Sequence, residues 1–195
     1  MTSRWPSEAR GSNFPRMTTV MDAGRCVLRE WRVTDAEALV RHANDRRVSI
    51  DLRDRFPYPY TAAHADEWLG RNVGVTPATA FAIVEHGSDE PVGGVVLLRK
   101  DDVERISAEI GYWLGVSAWG RGLATDAVRA ATAYAFDVLD LERVFAIANT
   151  RNKASARVLE KAGFILEGTM RRAVIKEGVV LDQFVYAALK TEWRR

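Results

Sequence analysis

The chain has a single cysteine, Cys26, among 195 residues, so no disulfide can close within it. That usage suits a reducing compartment. Cys26 lies in the strand-like run Arg25 to Trp31 and reads as a small buried hydrophobe. Histidine is also sparse: His42, His64 and His86 have no ligand spacing, so neither a metal centre nor a histidine-activated nucleophile is expected. No apolar run nears the ~18–20 residues that span a bilayer. The first residues carry no signal-peptide core. Charge of one sign is scarce as well. The net charge is +2, too small to make nucleic acid or a membrane surface the main partner. Arg46, Arg47, Arg53 and Arg55 alternate with Asp45, Asp51 and Asp54, which reads as a mixed solvated segment. What remains is an ordinary globular composition, 47% hydrophobic and 28% charged, expected in the cytoplasm.

The length fits one domain with a full core. Residues 1–23, rich in Ser, Arg and Pro, are expected to be a disordered tail or residues upstream of a start at Met17 or Met21, and residues 24–195 the folded domain. A strand from Arg25 to Arg32 meets Thr34-Asp35, a plausible cap for a helix to about Asn44. Arg46 to Tyr60 is irregular, because Phe56-Pro57-Tyr58-Pro59-Tyr60 excludes a regular helix there. Thr61 caps a second helix to about Val73. The runs Thr79 to Glu85 and Val92 to Lys100 form a hairpin about Gly87 to Pro91, and a strand holding Glu109 follows. Then come a long helix from Leu123, a short strand Arg143 to Ala148, and a helix Asn152 to Ala162 stopped by Gly163. Two last strands turn at Glu177-Gly178. The order β-α-α-β-β-β-α-β-α-β-β describes a mixed α/β sandwich in a single domain, with no internal repeat.

The most informative segment is Trp119-Gly120-Arg121-Gly122-Leu123-Ala124-Thr125, between the strand Ala108 to Leu114 and the long helix. A glycine-rich turn at a helix start aims unpaired backbone N–H groups at one point, where the helix dipole is positive. Gly120 and Gly122 can take positive φ and admit phosphate oxygens. This is an anion site suited to a pyrophosphate, with an ordinary strand–helix connection as the alternative. In the strand, alternation sets Ile110, Tyr112 and Leu114 on one face and Glu109, Gly111, Trp113 and Gly115 on the other. Glycines inside a strand often mark the close approach of a ligand or another backbone. A carboxylate such as Glu109 beside a cleft could act as a general base; an exposed strand carboxylate is the alternative. A second helix start follows at Asn149-Thr150-Arg151-Asn152-Lys153-Ala154-Ser155, then Glu160-Lys161-Ala162-Gly163-Phe164.

In that order and spacing the chain resembles the GNAT acetyltransferases, and within them the Rim-type enzymes that acetylate ribosomal-protein N-termini. The resemblance covers about Arg25 to Trp193 in layout and is specific from Glu109 to Glu167. It implies a single-domain GNAT fold, α/β with a splayed central sheet holding acyl-CoA. Trp113, Leu114 and Val116 then line the gap, and the turn from Trp119 to Thr125 binds the pyrophosphate. Trp119 replaces the Gln or Arg usual in the family, as is common in the Rim-type branch. Asn149 and Asn152 become candidates for the pantetheine arm, although both could be plain caps. Glu109 matches the position of the base. The family's usual tyrosine, seven residues after the helix-start Asn, is here Leu159, which cannot donate a proton. Ser155 matches the serine that Rim-type enzymes place on that first turn, with a hydroxyl that merely bonds its own helix start as the alternative.

The resemblance therefore implies an acetyl-CoA-dependent N-acetyltransferase working by direct transfer, with no metal. The acceptor is an amine, either a protein N-terminus or a small molecule; a non-catalytic acyl-CoA-binding protein is the alternative from another class. Arg53, Phe56 and Tyr58 border the expected acceptor cleft. Assembly as a monomer or homodimer is left open.

Overall fold

The computed structural model describes residues 19–194 of the chain. An eight-stranded sheet runs in the order β1 (Val20–Asp22), β2 (Cys26–Glu30), β3 (Ala80–Glu85), β4 (Pro91–Arg99), β5 (Ser107–Leu114), β6 (Arg143–Asn149), β8 (Val179–Leu189), β7 (Ile165–Lys176). All neighbours are antiparallel except β5 and β6. Two helices, α1 (Ala36–Ala43) and α3 (Ala62–Asn72), cover one face, and α4 (Leu123–Asp137) and α5 (Lys153–Ala162) the other. The expected element order holds, with two corrections. Val20–Asp22, placed in the tail by the sequence, pairs with β2 as β1; residues 1–18 lie outside the described residues. A single helical turn, α2 (Arg46–Ser49), capped by Asp45, stands in the segment expected to be irregular.

Period-2 alternation divides the core. In β3, Phe81 and Ile83 join the cluster under α4 and α5, while Ala80, Ala82 and Val84 join the cluster under α1 and α3. A strand covered on both faces has no polar side to show, which is why it reads as a continuous apolar run. Each fully buried large side chain of this kind contributes about 1.5–3 kcal/mol. Cys26 is fully buried in the same core, as expected of it. At the start of α1, Asp35 does not cap with its side chain. Its carboxylate instead takes both terminal nitrogens of buried Arg29 on β2, each at 2.8 Å, and so ties α1 to the sheet. Thr61 does cap α3, and Gly163 ends α5 with a left-handed φ of +97°.

Burial pushes the Cys26 thiol up to about 12, with Asp126, Asp22 and Glu85 adding to the shift. Burial also raises the Tyr60 hydroxyl to about 12, with Glu67 adding and Arg71 opposing. Both groups hold their proton more tightly folded than unfolded. The stability this represents is complete below the ordinary thiol and phenol values of 9.0 and 10.0, and is lost as pH rises toward 12. Urea midpoints should therefore stay flat from neutral pH to about pH 9 and fall above it, with a shallower fall in Cys26→Ala.

Candidate active site

β5 and β6 pair only from Ser107↔Arg143 to Glu109↔Phe145, although they run on to Leu114 and Asn149. Beyond that point they diverge. β5 stays bonded to β4 as far as Leu114↔Gly93, and β6 to β8 as far as Asn149↔Gln183. The gap between them is thus flanked by firmly held strands, and the backbone groups of Ile110 to Leu114 that face it have no strand partner there.

The two faces of the gap carry different chemistry. On the α1/α3 face, Glu109 is 8% exposed. Its Oε1 accepts from the Arg53 guanidinium, and Lys100 Nζ stands 4.0 Å from Oε2. Phe56 packs edge-on against Trp113, centroids 5.3 Å apart, and leans on Tyr60 at 5.1 Å. On the α4/α5 face, the Tyr112 hydroxyl lies 2.8 Å from Ser155 Oγ and donates to the Ser155 carbonyl at 3.2 Å. Burial pushes the Tyr112 phenol well above its usual range, partly offset by its hydrogen bond with Ser155. It stays protonated at any working pH and remains available as a donor.

Where β5 ends, Trp119 Nε1 donates to the Leu114 carbonyl at 2.8 Å, folding the turn back on the strand. Gly120 and Gly122 take φ of +74° and +82°, conformations that strain other residues. The first helical bond of α4 runs from Asp126 N to Gly122 O, so the amides of Leu123, Ala124 and Thr125 have no partner within the helix. The turn and the helix start border an open cleft of about 410 Å³ lined by Arg25, Gly120, Arg121, Gly122, Thr125, Asp126, Arg129 and Lys161. Arg25 pairs with Asp126 at 2.8 Å, and Arg121 with Glu85. Arg129 and Lys161 join these two paired arginines, so the cleft is lined by four cations and one carboxylate.

The loop after α2 roofs the gap on the α1/α3 face. Asp51 Oδ1 accepts from Arg151 Nε at 2.6 Å and from Asn149 Nδ2 at 3.4 Å, while Gln183 Nε2 donates to Asn149 Oδ1 at 3.1 Å. The same loop reaches β5 through Arg53 and Phe56. At the β7–β8 tip, Glu177 holds Arg46 at 2.5 Å and Lys176 holds Asp54 at 2.8 Å.

The structure brings Glu109, Trp113, Arg53 and Phe56 together on one face of the gap, and places Leu114, Val116 and the turn Trp119 to Thr125 at its end. Leu123 is buried, so only its backbone faces outward. Asn152 caps α5 by accepting from Ser155 N at 3.0 Å, and both ends of the Asn149 amide are engaged within the protein. Tyr58 is 54% exposed; Tyr60 takes the aromatic place expected of it. The glycines of β5 do not make room for a ligand: a Cβ at Gly115 would fall 2.6 Å from His42 Nδ1, and one at Gly111 would sit in ordinary contact with Val96. Leu159 is fully buried in the core; Tyr112, read in the sequence as one residue of an apolar face, brings a phenol to Ser155 instead. Lys100, Asp51, Gln183, Arg25, Arg129 and Lys161 also stand at the site, where no motif in the sequence places them. Only Arg129 had a local signal, lying on α4 at helical spacing from Thr125 and Asp126.

The family model described as "Acetyltransferase (GNAT) domain" matches residues 25–165, and the chain belongs to the GNAT acetyltransferase family. Among its relatives is YdaF of Bacillus subtilis, named as a proposed ribosomal N-acetyltransferase. It is 37% identical over 105 residues, which are 54% of this chain and 57% of YdaF. That alignment spans little more than half of YdaF. An N-acetyltransferase named p20 in Bacillus licheniformis, itself uncharacterized, is 29% identical over 173 residues, covering 87% of this chain and 95% of p20. The crystal structure of a GNAT-family acetyltransferase from Bacillus anthracis superposes with a TM-score of 0.79 at 25% identity, covering 89% of this chain and all of that one (100%).

Asp51 fastens the roof to the end of β6 and the turn after it, so Asp51→Ala should loosen residues 46–60 in particular. Hydrogen exchange there should rise while the amides of β3 and β4 keep their protection. The loss of stability should be about 1–3 kcal/mol, the cost of leaving a buried amide such as Asn149 short of a partner.

Proposed function

We propose that the chain is an acetyl-CoA-dependent N-acetyltransferase that passes an acetyl group directly to an amine. The observation that carries this is one continuous path: the gap between β5 and β6 leads to the turn at Gly120 and Gly122, and that turn opens into a basic cleft. The residues suit the ligand. Amides from Gly120 to Thr125 would take the pyrophosphate, with Arg25, Arg129 and Lys161 as cations for its phosphates. Trp113, Leu114, Val116 and Asn152 border the gap along which a pantetheine arm would lie. Bound acetyl-CoA supplies a thioester, an electrophile that a neutral amine can attack.

The chain's own groups then divide the proton work across the gap. Glu109, on the α1/α3 face, is the base that removes a proton from the incoming ammonium. Ser155, on the opposite face, gives a proton to the departing sulfur, and Tyr112 can replace that proton by turning its hydroxyl from the Ser155 carbonyl to Oγ, 2.8 Å away. Arg53 has to swing off Glu109 before an amine can reach Oε1, and its half-exposed side chain has the freedom to do so. A protein N-terminus as acceptor is supported by the relation to YdaF. The acetyltransferase domain would run from β1, which pairs with β2, through the rest of the described residues.

Acetyl-CoA at ~100 times its dissociation constant should stabilise the protein by about 2.7 kcal/mol in a thermal-shift assay. Gly122→Asp, which sets a carboxylate where phosphate oxygens would lie, should abolish that shift. Glu109→Gln should keep the shift and lose about 10²–10⁴-fold in turnover, measured by mass spectrometry of acetylated peptides and amines. Unchanged turnover would assign the base elsewhere.

Ser155 and Tyr112 are separable in one experiment. If Ser155 donates the proton, Ser155→Ala should slow single-turnover transfer, and Tyr112→Phe should slow it less, with cofactor binding kept in both. If their hydrogen bond is only structural, each variant should lose about 0.5–1.5 kcal/mol of stability and transfer at the normal rate.

A further inference from the structure

The buried carboxylate at the gap is over-supplied with positive charge. Side-chain exposure is 10% for Glu109, against 54% for Arg53 and 36% for Lys100. Lys100 also lies over the Phe145 ring, 5.3 Å from its centroid, with Arg143 at 5.7 Å from the same centroid. Arg143 is balanced by Glu167, which leaves Arg53 and Lys100 to share Glu109 alone. The neighbouring loop carboxylates are already engaged: Asp45 with Arg47, Asp51 with Arg151, Asp54 with Lys176. An acceptor amine therefore approaches a mouth with one surplus positive charge, and finds its base covered by a guanidinium.

Arg53 is also built to move alone. The backbone on either side of it is held, by Asp51 on the end of β6 and the turn after it and by Phe56 on Trp113, while its own tip is half exposed. Guanidinium groups bind carboxylates bidentately, and the exchange of one carboxylate for another costs little in net charge.

We propose that Arg53 selects the acceptor: a carboxylate carried close to the acceptor's amino group draws Arg53 off Glu109, uncovers the base and holds the acceptor in place. The preferred acceptor is then an amine bearing a neighbouring carboxylate, such as a peptide with Asp or Glu just after its first residue. Polycationic amines are disfavoured, since they add charge to the surplus at Arg53 and Lys100. The proposal rests on Glu109 being the base, but its binding half does not, and the test separates the two.

Transfer would be measured on the peptides Ala-Asp-Glu-Phe, Ala-Asn-Gln-Phe and Ala-Lys-Lys-Phe, on free glutamate and on spermidine. The acidic peptide should exceed the neutral one about five- to tenfold in kcat/KM, with part of the gain in kcat because the base is uncovered. Glutamate tells whether a free carboxylate-bearing amine suffices or a peptide is needed. Arg53→Gln should bring the acidic-to-neutral ratio to about one, and Arg53→Lys should keep part of it.

The second readout is calorimetry with the acetylated peptides, which carry no ammonium to attract Glu109. The acidic product should bind more tightly than the neutral one, and Glu109→Gln should widen that difference, because Arg53 is already free. Arg53→Gln should erase it. Equal binding of both products to wild type, an acidic preference that survives in Arg53→Gln, or spermidine as the best acceptor would each overturn the proposal. If Glu109→Gln transfers acetyl at the wild-type rate while the calorimetric pattern holds, the base assignment fails and the selection by Arg53 stands.

Discussion

Parallel strands can be hydrogen-bonded along their whole length, and β5 and β6 are not: their ladder ends at Glu109↔Phe145 while both strands continue. Backbone groups left without partners are costly when buried, so such a gap persists only if each strand is secured on its other side. Here β4 and β8 do this, through antiparallel ladders that continue past the break. The gap is therefore a property of the whole sheet. It also decides where chemistry can occur, because a ligand in it would replace the missing ladder with hydrogen bonds of its own.

The alternation of side chains then does the rest. Glu109 and Trp113, at odd positions of β5, meet the loop after α2, while Tyr112, on the other face, meets α5. Glu109 and Tyr112 consequently work from opposite sides of the same opening, one beside Arg53 and one beside Ser155. A carboxylate and a phenol held on opposite faces of one strand do not neutralise one another, which suits the direct transfer proposed above. The basic cleft at the far end adds an electrostatic bias for an anionic ligand without touching either group.

The loop from Ile50 to Thr61 is the part with most freedom. It has little regular structure, and it is fastened through side chains: Asp51 on one strand of the gap, Phe56 on the other, Asp54 at the hairpin tip. Such attachments can be exchanged one at a time, whereas a strand ladder breaks cooperatively. A roof of this kind suits acceptor selection.

Local chemistry was legible from the sequence. The turn Trp119 to Thr125, the cap at Asn152 and the glycine stop at Gly163 depend on residues within a few positions of one another. Their conformations follow from backbone sterics and helix-end hydrogen bonding. The succession of strands and helices along the chain was legible for a similar reason, apart from β1 and α2, since apolar periodicity reports burial directly. The pairings that define the site were not. Arg53 is 56 residues from Glu109, Tyr112 is 43 from Ser155, and Asp51 is 100 from Arg151, so no spacing rule connects them. Leu159 shows the limit well: its place in the helix could be counted, but only packing shows that it is fully buried and that β5 brings a phenol to Ser155. Residue type and short-range geometry determined the elements and the anion-binding turn. Which carboxylate meets which cation was decided by how the sheet and its covering loop come together.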